Sequence, residues 1–155
     1  MNRTSLNGTG LCVCFQMRRA SRVVTQLYDE ALQPSGIRST QFAVLVAIAK
    51  MEPITVSGLE VVLAIDSTTL SRSLRKLEQM GLLKMARGRD QRERLGRLSA
   101  KGRRVLEKSV PYWRKVQGQV VSRLKTPGWG EIQKQLEYVK NVSEGVLKSR
   151  DVKMA

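Results

Sequence analysis

The chain has 155 residues, 28 of them Lys or Arg against 13 Asp or Glu, a net charge of +15 at neutral pH, and no histidine. This length suits one domain with a sizeable core, and the surplus of cations favours a polyanionic partner, nucleic acid before an anionic membrane surface. The lack of histidine removes the commonest general base, the usual zinc ligand and every histidine-dependent triad. No Gly-rich phosphate loop is present either, so the chain is expected to be no enzyme and to need neither cofactor nor metal.

Residues 1–10 read as a polar, Gly-containing, flexible tail without the apolar core of a signal peptide. No apolar run approaches the roughly 20 residues that span a bilayer, so a soluble, cytoplasmic protein with no membrane partner is expected. Cys12 and Cys14 are then expected to stay reduced unless oxidation is their role, and two thiols are too few for a zinc site.

Cys12 to Gln33 reads as a long helix, with Val13, Met17, Ala20, Val24, Leu27 and Ala31 at steps of three and four, a seam that needs a partner. Pro34-Ser-Gly36 ends it. A second helix, Thr40 to Lys50, is almost wholly apolar (Phe42, Val44, Leu45, Val46, Ile48) and should sit at the centre of the core. Pro53 breaks the chain and Ile54-Thr55 suits a short strand. Val56 to Leu63 is a short helix, and Ala64-Ile65 turns into the next.

That next helix starts at Asp66, a good N-cap, and stops at Gly81. Leu70, Leu74 and Leu77 make one buried stripe, while Ser67, Thr68, Ser71, Arg72, Arg75 and Lys76 occupy the other side. Two helices joined by so short a turn have helix-turn-helix geometry, and such a second helix suits a major groove. Leu82 to Arg87 and Arg94 to Leu98 bracket a polar tip at 88–93 and predict a β-hairpin. Ser99 then opens a long helix to about Lys125, which Pro111 should kink or shift, and a last helix runs from about Glu131 to Lys148.

The fold class is thus mainly α with a small β-hairpin wing. The expected division is a flexible tail at 1–10, an N-terminal dimerisation helix at 11–39, a winged helix-turn-helix lobe at 40–98 and C-terminal dimerisation helices at 99–155.

Asp66-Ser-Thr-Thr-Leu-Ser-Arg72, Leu77-Glu-Gln-Met-Gly-Leu-Leu83, Gly88-Arg-Asp-Gln-Arg92 and Arg97-Leu-Ser-Ala-Lys-Gly102 resemble the MarR family of winged helix-turn-helix transcription regulators. The resemblance covers about Leu11 to Lys148. It implies a homodimer on a pseudo-palindromic double-stranded DNA operator, each recognition helix in a major groove and each wing in a minor groove. It further implies a repressor released by a small-molecule effector or an oxidant. Val61, Val62 and Ala64 depart from the family, which commonly has polar residues and Gly there. A non-specific architectural nucleic-acid binder is the alternative that the charge alone would allow.

Carried onto this chain, the resemblance makes Ser67, Thr68, Thr69, Ser71 and Arg72 the groove-reading residues, with Arg72 suited to a guanine edge. Arg75, Lys76, Arg87 and Arg94 are expected at the DNA backbone and Arg89 in the minor groove. Asp90 and Arg92 are expected to pair and fix the wing, with Arg92 touching phosphate as well. Cys12 and Cys14 lie at a helix start ahead of Arg18 and Arg19. Cys14-Phe15 followed by Ala20-Ser-Arg22, with Tyr28 at a matching tyrosine position, resembles the peroxide-sensing branch of the family, although Arg18 stands where a second tyrosine is expected; Cys12 and Cys14 read first as small apolar residues of a dimer seam. Arg18, Arg22, Phe42 and Trp113 are the candidate effector residues, although aromatics at helical spacing are more often plain core.

Overall fold

The computed structural model describes residues 11–87 and 93–154. Along the chain run α1 (Val13–Leu32), a 3-10 turn (Gln33–Ser35), α2 (Ser39–Met51), β1 (Ile54–Thr55), α3 (Val56–Leu63) and α4 (Ser67–Gln79). They are followed by β2 (Leu83–Arg87), β3 (Arg94–Leu98), α5 (Ala100–Arg123) and α6 (Trp129–Met154). The chain divides into two compact units, residues 1–116 and 117–155.

In the first unit the core gathers around α2, whose Phe42, Val44, Leu45, Ala47 and Ile48 are buried together with Leu32, Leu59, Leu70, Leu74, Leu77, Leu83 and Leu98. α2 opens at Ser39, one residue earlier than its apolar pattern suggests, because Asp29 of α1 accepts hydrogen bonds at 2.6 Å from both the backbone N–H and the hydroxyl of Ser39. A carboxylate at a helix start satisfies donors that lack helical partners. The three strands form an antiparallel sheet in the order β1-β3-β2, with Leu83 opposite Leu98 and Arg87 opposite Arg94.

α4 is fixed at both ends. The Asp66 carboxylate accepts from the Thr69 N–H at 2.9 Å, and Gly81, at φ 70, turns the chain out of the helix. The hydrogen bonds from Thr69, side chain first and backbone next, hold the Asp66 carboxyl below the usual aspartate range. α3 is capped similarly, by Thr55 Oγ1 accepting from the Gly58 N–H at 3.0 Å.

The start of α5 is clamped to the end of α4. Ser99 donates from its hydroxyl to the Gly81 carbonyl at 2.7 Å, accepts from the Gly102 N–H at 2.9 Å, and bonds the Leu82 carbonyl through its own N–H at 3.1 Å. Lys101 Nζ donates to the Met80 carbonyl at 2.8 Å. A side chain at Gly102 would put its Cβ 1.9 Å from the Leu82 carbonyl oxygen, so this approach requires glycine. Beside it, Glu52 pairs with Arg103 and accepts from the Leu98 N–H at 3.0 Å. Desolvation raises the Glu52 carboxyl, but Leu98, Arg103 and the field of Arg97 together bring it below its ordinary value.

α5 continues through Pro111 rather than restarting there. The ring removes the N–H that the Glu107 carbonyl would accept, on an exposed side where water can replace it. In the second unit α6 begins at Trp129, two residues before the expected start. The Glu131 carboxylate reaches back to the Gly128 N–H at 2.9 Å and stabilises the extra turn.

Two outcomes follow. Gly102→Ala is expected to destabilise the fold by about 3 kcal/mol, because backbone must move to admit one methyl group, as a thermal melt would register. A carboxyl held below its unfolded pKa contributes stability that is present above about pH 4 and is lost as pH falls through the lower folded value. The melting temperature of the parent should therefore exceed that of Asp66→Asn at pH 6, and the gap should narrow as pH falls below about 4.

Candidate nucleic-acid interface

Burial of Leu70, Leu74 and Leu77 turns the opposite side of α4 to solvent. Ser67, Thr68, Thr69, Ser71, Arg72, Arg75 and Lys76 are all exposed. At 100° per residue, Thr68, Arg72, Arg75 and Gln79 run down the centre of that side, flanked by Ser71 on one edge and Thr69 and Lys76 on the other. Gln79 is exposed as well. The sequence reading missed it because it lies at the far end of the helix from the cluster of hydroxyls, yet its step of four from Arg75 was visible.

The helix-turn-helix connection passes through Ala64, whose φ of 50 and ψ of 45 are left-handed. Ile65 N–H bonds the Glu60 carbonyl at 3.2 Å and closes the turn. Alanine thus adopts the conformation that the family's usual glycine would, at a cost of about 1–2 kcal/mol. Val61, 82% exposed, and Val62, 49% exposed, place their side chains outward from α3.

A cleft of about 410 Å³ lies between α3, α4 and the wing strands, and brings Ser71 and Arg75 of α4 together with Arg94 of β3. Thr55, Ser57, Glu78 and Glu93 line it too, so the two guanidinium groups work beside two carboxylates. Arg87 is exposed opposite Arg94 at the outer end of the ladder. Arg89, Asp90 and Arg92, expected at the wing tip, lie outside the described residues.

The candidate effector residues do not converge. Phe42 is 8% exposed and stacks on Trp113 with ring centroids 6.0 Å apart, both packed into the core. Arg18 and Arg22 instead line an open groove of about 380 Å³ on α1 with Met17 and Ser21. Arg22 also borders a cleft of about 750 Å³ with Thr25, Asp29 and Arg38. Neither cavity includes Phe42 or Trp113, because α2 is buried around most of its circumference and draws both rings inward.

Cys12 is the N-cap residue of α1 and Cys14 lies in its first turn; both are free and exposed. Tyr28, whose hydroxyl is pushed up by burial, is fourteen residues further on. That is about 21 Å along a helix, so the tyrosine and the thiols do not meet within one chain. Among the described residues there is no group of three His, Cys, Asp or Glu side chains placed to hold a metal, and no helix long and apolar enough to cross a membrane.

A sequence model described as MarR family matches residues 35–93. The chain is 32% identical over 99 residues to the organic hydroperoxide resistance transcriptional regulator of Bacillus subtilis (strain 168), covering 63% of this chain and 67% of that protein. It is 29% identical over 80 residues to the uncharacterized HTH-type transcriptional regulator YwoH of the same organism, covering 52% of this chain and 58% of the relative. Among solved structures, the M. tuberculosis transcriptional regulator MosR in complex with DNA matches with a TM-score of 0.81 and 36% identity, over 86% of this chain and 97% of that one. With its capped recognition helix, left-handed turn and three-stranded wing, the chain belongs to the MarR family of winged helix-turn-helix transcriptional regulators.

Proposed function

We propose that this chain is a sequence-specific double-stranded-DNA-binding regulator. It acts as a homodimer on a pseudo-palindromic operator in the cytoplasm, as a repressor released by a small ligand or by oxidation, and as a binding protein rather than an enzyme. The observation that carries this is the division of α4 into a fully seated leucine side and a free side bearing Thr68, Arg72, Arg75 and Gln79. Arg72 then reads a base edge, the hydroxyls of Ser67, Thr68, Thr69 and Ser71 take bases or phosphates, and Arg75, Lys76, Arg87 and Arg94 meet the backbone. Arg89, outside the described residues, is the one assigned to the minor groove. The DNA complex formed by the similar MosR supports this reading.

Pairing is supported by apolar side chains left exposed on α1 (Val13, Phe15, Val24, Leu27) and, separately, on α6 (Leu136, Val142, Val146). Such seams need a partner, and a stable obligate dimer buries upward of about 2,000 Å². Half-sites about 34 Å apart demand matched recognition helices, so a trigger that alters their spacing releases the operator.

Arg72→Ala is expected to cost about 1–3 kcal/mol of operator affinity and to flatten sequence preference, whereas Arg94→Ala should weaken all duplexes alike and lower the salt slope by about one. Titration of operator and random duplexes at several salt concentrations separates the two. Equal loss on both duplexes in Arg72→Ala would refute base reading, and a parent protein that binds both equally is a non-specific architectural binder.

For release, the exposure of Cys12 and Cys14, and the hydroperoxide-resistance regulator among the relatives, favour oxidation. Peroxide treatment followed by mass spectrometry is expected to find modified Cys14 together with lost operator binding. Unmodified Cys14 with unchanged affinity eliminates the oxidant route and leaves the thiols as seam residues.

A further inference from the structure

At the root of the wing, Lys84 stands directly opposite Arg97 in the β2–β3 ladder, and both side chains are exposed. Side chains paired in this way have Cβ atoms about 5 Å apart, and like charges there are destabilising. Ser99 alone separates β3 from α5 and bonds the Leu82 carbonyl, so α5 starts at the same end of the sheet. On α5, Lys101, Arg104, Lys108 and Lys115 follow at steps of three, four and seven, which sets them on one face. All four are exposed, while Gly102, Ser109 and Val116 mark the buried face. Glu107 stands beside the ridge, and Glu52, within the field of Arg97, is already engaged by Arg103 and the Leu98 N–H.

None of these cations belongs to the groove-reading side of α4 or to the wing tip. Lys101 is held by the Met80 carbonyl, so the free cations nearest the sheet are Arg104 and Lys108, and with Lys84 and Arg97 they match a polymer of regularly spaced anions better than one small anion. No large exposed apolar side chain interrupts the row, which suits a nucleic-acid backbone and not the apolar centre of a protein–protein interface. We infer that Lys84, Arg97, Arg104 and Lys108 form a second, sequence-independent track that takes the phosphates of duplex DNA beyond the base pairs read by α4. The inference rests on the DNA-binding reading above.

The test uses an operator selected from a random-sequence pool, as a short duplex ending at its half-sites and as one extended by about ten base pairs on each side. The parent is compared with Lys84→Gln/Arg97→Gln/Arg104→Gln/Lys108→Gln. Extension is expected to raise parent affinity about tenfold or more and to steepen the salt dependence by up to about 3.6 for each protomer engaged, since each of the four phosphate contacts contributes about 0.9 to the slope. The variant should keep the short-duplex affinity and lose the gain. Relief of the Lys84–Arg97 like-charge pair offsets the lost field of Arg97 on Glu52, so the variant should melt close to the parent, and the melt separates lost binding from lost folding. No gain on extension in the parent, or an equal gain in the variant, overturns the track. Equal affinities on long DNA with a variant-specific loss of poly-glutamate binding assign the surface to an acidic protein and overturn it too. If the parent ignores the short duplex, the operator reading of α4 fails instead, and the track stands only if the variant loses affinity for random duplex.

Discussion

The seating of Leu70, Leu74 and Leu77 under α4 is the interaction on which the interface depends. A 13-residue helix is marginal by itself in water, so its order comes from packing one side onto a core. Each buried leucine contributes on the order of 2 kcal/mol, and together they fix the helix in rotation as well as position. Rotation is what matters for recognition. A turn of 100° would carry Arg72 to the edge of the exposed side and bring a leucine into water.

The second constraint is the junction of α4 with α5. Ser99, Gly102 and Leu82 meet backbone to backbone, and Glu52 ties the neighbouring Leu98 and Arg103 to the end of α2. Contacts of this type leave little room for sliding. A displacement at the start of α5 is therefore passed to the C-terminal end of α4 rather than absorbed between them. In the proposed dimer this joins the pairing helices to the spacing of the DNA-reading ones.

Much of this was legible in the residues. The period of the leucines, Asp66 before them and Gly81 after them placed α4 within a residue or two, and the polar tip between two short apolar runs placed the wing strands. These are local signals, and local signals survive without coordinates. What was not legible is long-range. Asp29 capping α2 from ten residues away leaves no periodic trace, and Gly102 looked like one more residue of a motif until the Leu82 carbonyl was found against it. The aromatic pair is ambiguous in the sequence for a related reason. Phe42 and Trp113 are as compatible with a binding groove as with a core until the burial of α2 decides between them. Gln79 stands apart from the hydroxyls and guanidiniums, a lone amide at the trailing end of the stripe.

Ala64 carries a consequence for how the two helices of the motif are held. Its left-handed backbone is uphill for an L-residue with a Cβ, so the connection does not favour the observed crossing of α3 and α4 by itself. The crossing is imposed by Leu59 beneath one helix and the leucines beneath the other. The bend behaves as a loaded spring kept shut by its neighbours: loosening the oily floor under either helix lets the corner relax and swings the exposed edge of α4 away, without any change to the side chains that edge carries.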